Sequence, residues 1–167
     1  MVQPNKSAGY MQGTGYQGPG RQSGGGNTPS PQLLTPKPLA YYSDPPDKKR
    51  LKPDLLDDHA RKDAESFKDL KAAQIRRFYD EIKAIERKIM YDKDLDKQKA
   101  NFDEARALIT MFKAKAVYAE ERKVAPRAFT QFIFDHVASI NDLADFKGFL
   151  KVFEAVVAFH KFFSPEK

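Results

Sequence analysis

The sequence predicts an all-α protein: a small bundle of about five helices behind a disordered N-terminal arm. Three observations predict it. Eight of nine glycines lie at or before Gly26 and nine of eleven prolines at or before Pro53, whereas all 13 phenylalanines begin at Phe67. Beyond Pro53, apolar residues recur at three- and four-residue spacing, the period of a helix that buries one face. No stretch of period-two alternation reads as a strand.

Residues 1–53 form the arm and 54–167 the helical domain. The first 31 residues are Gly, Gln, Ser and Pro with spaced tyrosines, Tyr10 and Tyr16. Such a composition buries too little apolar surface to offset the entropy of ordering. The stretch to Pro53 is punctuated by Pro36, Pro38, Pro45 and Pro46 and ends in Lys48-Lys49-Arg50-Leu51-Lys52. It reads either as a flexible linker or as a basic arm that touches nucleic acid weakly.

Asp54 is a suitable N-cap for a first helix, with Asp57 and Asp58 in its first turn and a thin stripe of Leu56, Ala60, Ala64 and Phe67. A second helix carries a clear seam, Ile75, Phe78, Ile82, Ile85 and Ile89, broken by Tyr91-Asp92-Lys93-Asp94. A third repeats the seam with Phe102, Ala105, Ile109, Phe112, Ala116 and Ala119. Pro126 suits the first turn of a fourth, bearing Phe129, Phe132, Ile133, Val137 and Ile140. Asn141 or Asp142 starts the last helix, with Leu143, Phe146, Phe149, Leu150, Phe153, Val156, Val157 and His160. Phe159, Phe162 and Phe163 fall outside that stripe, so this helix is apolar nearly all round and must be central or half-covered by another chain.

Several function classes drop out. With no cysteine, there are no disulfides, zinc ribbons, iron–sulfur clusters or thiol nucleophiles. No apolar run approaches the roughly 18 residues of a membrane span, and no secretory signal opens the chain, so a cytoplasmic protein without membrane partners is expected. His59 lies in the acidic first helix with no partner nearby in sequence, and His136 and His160 sit at core-facing phases. Asp92, Asp94 and Asp96 superficially suggest a calcium loop, but the glycine and terminal glutamate such a loop needs are missing. Adjacent pairs such as Asp80/Glu81 and Glu120/Glu121 diverge by about 100° on a helix and share neither proton nor metal easily. No enzyme activity, metal or cofactor is expected.

Charge is the informative signal. The formal +6 is mostly the arm, at +5; residues 54–70 carry −3, residues 71–127 carry +5 and residues 128–167 carry −1. On a helical wheel Arg76, Lys83 and Arg87 fall within about 40° of one another beside the buried seam, with Tyr79 between stripe and core. Lys99, Arg106 and Lys113 form a second row on one flank of the third helix, and Lys115, Tyr118 and Arg122 a third row on the other. Cations bordered by tyrosines suit a polyanion, each meeting a phosphate while the ring stacks on a base or on arginine. Ordinary solvated helix surface, with ion pairs such as Arg76–Asp80 and Asp80–Lys83, is the competing reading. Nothing in the pattern reads bases.

The same residues carry a resemblance. Ala73-Gln74-Ile75-Arg76-Arg77-Phe78-Tyr79 resembles the "SQIRKFY" helix opening of the small subunit of type III-A CRISPR–Cas (Csm) effector complexes. Leu108-Ile109 through Phe112-Lys113-Ala114-Lys115-Ala116-Val117-Tyr118-Ala119 and Arg122 is similar to that family's "LxxLKPKLAYAxGR". Phe146-Lys147-Gly148-Phe149 and the run from Phe153 to Phe163 are similar to its C-terminal "FFEAVVAYHKFYG". The three occur in order across roughly residues 70–163. The resemblance implies a noncatalytic helical subunit, stacked in several copies as an inner filament. It also implies contact with the backbone and large subunits, single-stranded target RNA and the crRNA–target duplex. By position, Arg76, Arg77, Lys83, Arg87, Lys113, Lys115 and Arg122 become the candidate RNA-binding residues. A helical adaptor or dimerisation module that binds only protein partners is the alternative.

Overall fold

The computed structural model describes residues 32–164. The stretch 1–31, for which the sequence predicts disorder, lies outside them. Five helices follow in order: α1 (Ala60–Ser66), α2 (Ala72–Ile89), α3 (Leu95–Glu121), α4 (Arg127–Ser139) and α5 (Leu143–Phe163). Among the described residues there is no strand, only an isolated antiparallel bridge between Tyr42 and Leu51. The expected all-α class and helix number are observed.

A π-helical turn, Leu55–His59, leads into α1. Its extra residue per turn brings Leu55 onto the buried side with Ala60, so Leu55 is in the core and Leu56 only partly covered. The expected stripe had these two leucines the wrong way round, because a regular 3.6-residue period was assumed. Asp54 does hold the N-cap position, without a side-chain cap hydrogen bond. His59 also departs from expectation: its Nε2 lies 3.7 Å from the Asp54 carboxylate.

The α2 and α3 seams are buried residue for residue as the periodicity requires. Between them Asp94 caps α3, accepting from the Asp96 and Lys97 amides at 2.8 and 3.1 Å. Asp92 accepts from the Asp94 amide at 3.1 Å, and that bond holds its carboxyl below the usual range. These aspartates therefore shape a turn. Pro126 stands at the N-cap of α4, and Asp142 caps α5 by accepting from the Asp145 amide at 2.9 Å.

Helix α5 is the centre. It lies against α1, α2 and α3, and its Phe149 and Phe153 rings meet Phe132 of α4 at 6.4 and 5.5 Å. Phe129, Phe146, Phe149 and Phe153 are fully buried, each contributing on the order of 2 kcal/mol of apolar transfer free energy. His160 is buried as expected, its Nε2 3.3 Å from the Phe67 carbonyl oxygen.

The expected boundary at Pro53 needs correction. Residues 35–52 lie on α4 and the start of α5 as a strap. The Lys37 amide donates to Asp135 at 2.7 Å, the Leu39 amide to Ser139 Oγ at 2.9 Å, and the Tyr42 hydroxyl to the Ala144 carbonyl at 2.7 Å. Lys48 pairs with Asp142 and Asp145 at 2.7 and 2.8 Å, tying the strap to the α5 cap. Tyr41 is 1% exposed, with its hydroxyl 2.8 Å from His136 Nδ1. Gly148 makes room for it: a Cβ there would stand 2.9 Å from both Cβ and Cγ of Tyr41. The proline and lysine composition of this stretch hides a single deeply buried anchor.

Two predictions follow from the strap. A chain beginning at Pro53 melts several degrees below one beginning at Gln32, measured by circular dichroism. Gly148→Ala destabilises the longer chain by about 1–3 kcal/mol through overpacking, yet stabilises the shorter one by about 0.5–1 kcal/mol through helix propensity. The same sign in both chains contradicts the Tyr41 seat. The third concerns pH. Burial pushes the His136 imidazole down to about 3, against roughly 6.5 when unfolded. Its depressed value means that stability present above about pH 6.5 is lost as pH falls toward 3. Asp63, pushed up to about 6 by burial, acts oppositely, taking up a proton in the fold and adding stability as pH drops below that. Comparison with His136→Gln isolates the histidine: the wild-type advantage shrinks by roughly 1 kcal/mol per unit between pH 6 and 4. A constant difference contradicts the assignment.

Candidate nucleic-acid interface

A short turn joins α2 to α3, so the two run side by side in opposite directions. The first turns of α2 therefore face the last turns of α3. Asn101, early in α3, donates to the Ile89 carbonyl at the end of α2 at 3.3 Å. At the other end, Glu81 of α2 accepts from Lys115 of α3.

Around that second contact lies a cleft of about 400 Å³. Gln74, Arg77 and Glu81 line it from α2, and Lys115, Tyr118 and Arg122 from α3, over a floor that includes the buried Phe78 and Ala119. Arg77 Nε stands 3.5 Å from Glu81 Oε1, while Lys115 meets Oε2. The Arg122 guanidinium lies 5.5 Å from the centre of the Tyr118 ring, which is 64% exposed. Lys115 also sits 5.1 Å from the Phe112 ring centre. Three cations and one carboxylate leave the cleft with a net positive charge.

The position of Arg122 is fixed by how α3 ends. Lys123 adopts a left-handed backbone, φ 56°, while its amide donates to Glu120 and the Val124 amide to Ala119, at 2.8 and 3.0 Å. This is the Schellman closure, with lysine where glycine is commoner. The scarcity of glycine in the folded part hid this stop signal from the sequence.

The seven candidate residues do not form one surface. Arg77, Lys115 and Arg122 converge on the cleft. Lys83 turns toward α5, where Glu86 beside it holds its ammonium above the usual lysine value. Tyr79, next to it, lies edge-on to Phe153 with ring centres 5.6 Å apart, between stripe and core as expected. Arg76 and Arg87 are exposed and share that side of α2 by helical register. Lys113 points the other way, 5.5 Å from the Phe134 ring of α4. It borders a groove of about 230 Å³ with Arg106, whose guanidinium donates to the Asn141 carbonyl at 3.2 Å. The wheel thus separated the two α3 flanks correctly. It could not bring Glu81 to Lys115, since that contact spans 34 residues and two helices, and for the same reason it missed Gln74 and the place of Arg77 beside Lys115 in the cleft.

Among the described residues, no group of three or more His, Asp or Glu is placed to hold a metal ion. No helix there is long and apolar enough to cross a membrane. No curated protein and no solved structure matches the chain. The family model described as Csm2 Type III-A matches residues 50–166, which takes in all five helices and the end of the strap. By that match the chain belongs to the Csm2 family, the small subunit of the type III-A CRISPR–Cas complex.

Proposed function

We propose that this chain is a noncatalytic subunit that grips the backbone of the target RNA and the crRNA–target duplex inside the type III-A effector complex. It stands beside further copies of itself and against the backbone and large subunits, and it holds RNA without reading sequence. Family membership supports the assembly. The observation that carries the RNA reading is the convergence of Arg77, Lys115 and Arg122, with exposed Tyr118, on one cleft between two helices. Phosphates spaced along a strand meet cations held by a rigid scaffold, and the ring supplies a stacking face open to any base. Exposed Leu108 and Met111 on α3 favour the second reading, an adaptor that binds only protein.

Affinity for single-stranded RNA measured against salt separates the two. An RNA-gripping subunit loses affinity steeply, by about 0.7 log unit per released counterion for each decade of salt. Arg77→Glu with Arg122→Glu removes most of that slope, and Arg76→Glu with Arg87→Glu removes less, while circular dichroism stays helical in both. Binding insensitive to salt contradicts the RNA reading for the free subunit. Greater loss in the second pair moves the RNA path to the α5 side of α2.

A further inference from the structure

The cleft holds more than cations, and what else it holds carries a sharper conclusion, which rests on the RNA reading above. Glu81 limits the repulsion between the cations beside it, but at the centre of the cleft it also repels a phosphate and offers acceptors that no phosphate can use. Each Glu81 oxygen already takes one cation, Lys115 on Oε2 and Arg77 on Oε1. A carboxylate oxygen has two lone-pair sites, so one remains on each. Its side chain is 35% exposed and so reachable from the cleft. Two parallel acceptors flanked by cations match two adjacent N–H donors.

Among the RNA bases, only guanine presents such a pair, N1–H and the N2 amino group, on its Watson–Crick edge. Uracil offers a single N–H between two carbonyl oxygens, and adenine and cytosine offer one amino group beside a bare ring nitrogen. Tyr118, on the opposite wall and mostly exposed, supplies a ring for the base to lie against. The volume, about 400 Å³, falls within the range of sites that enclose a small ligand. Arg122, on the Tyr118 side of the cleft, is left to meet a phosphate of the bound strand.

We propose that the α2–α3 cleft seats one unpaired guanine, stacked on Tyr118 and held by Glu81, with a phosphate of its strand on Arg122. This adds a preference at one position to a grip that is otherwise indifferent to sequence. The guanine comes from a single strand, because in a duplex its Watson–Crick edge is occupied.

The test compares two labelled uridine 12-mers, one with a central guanosine and the other with inosine, which lacks only the N2 amino group. Binding to the full chain is read by fluorescence anisotropy at two salt concentrations. The guanosine strand is expected to bind roughly tenfold tighter, as a two-donor base contact does. In Glu81→Gln the ratio falls to near one while the salt slope is kept, and Tyr118→Ala weakens both strands. Competition by guanosine 5′-monophosphate exceeding that by inosine 5′-monophosphate means that the cleft also takes the free nucleotide. Competition by neither, with the strand preference intact, assigns the guanine to RNA alone. Equal affinity of the two strands, with a steep salt slope, overturns the guanine seat and leaves the backbone grip standing. Loss of all salt-dependent RNA binding overturns both.

Discussion

Helix α5 offers water only one polar stripe, Lys147, Lys151, Glu154 and Lys161, and the rest of the fold follows from covering the remainder. Phe146, Phe149 and Phe153 are sealed on the inside, while Leu143, Leu150, Val152 and Val156 extend burial around the cylinder. One helix cannot cover such a surface. α1, α2 and α3 take part of it, and the Phe129 and Phe132 rings of α4 take another. The strap takes the notch at Gly148 with Tyr41. Near the end the demand relaxes, leaving Phe162 77% exposed.

That constraint reaches the candidate interface through helix rotation. Each seam is buried, so each helix is locked about its axis, and whatever flanks a seam is presented in a fixed direction. Ala116 and Ala119 buried on α3 leave Lys115, Tyr118 and Arg122 beside α2. Ile75 and Phe78 buried on α2 aim Arg77 and Glu81 back at them. The cations are thereby held near one another at low entropic cost on binding, as a preorganised anion site requires. Glu81 between Arg77 and Lys115 limits their mutual repulsion in the free protein.

The helices and their seams were legible because burial imposes a period on the residues themselves. Ile75 through Ile89 and Phe102 through Ala119 need no tertiary knowledge. Three features escaped, two because their cause lies far away in sequence and one because of a local irregularity. Tyr41 reads as one more tyrosine among prolines until His136 and Gly148, about a hundred residues on, are brought to it. Leu55 exchanged places with Leu56 because a π turn breaks the regular period. The cleft was half-visible: its α3 wall appeared as a stripe, but its α2 wall, Gln74, Arg77 and Glu81, was assembled only by the antiparallel hairpin. The resemblance pointed to Arg77 without giving it a neighbour.

The most direct test of the central claim is photo-crosslinking of the assembled type III-A complex with target RNA carrying 4-thiouridine, mapped by mass spectrometry. The α2–α3 cleft as the RNA seat requires crosslinked peptides from residues 74–81 and 115–122 of this chain. Crosslinks confined to α1, α4 or α5 would contradict it.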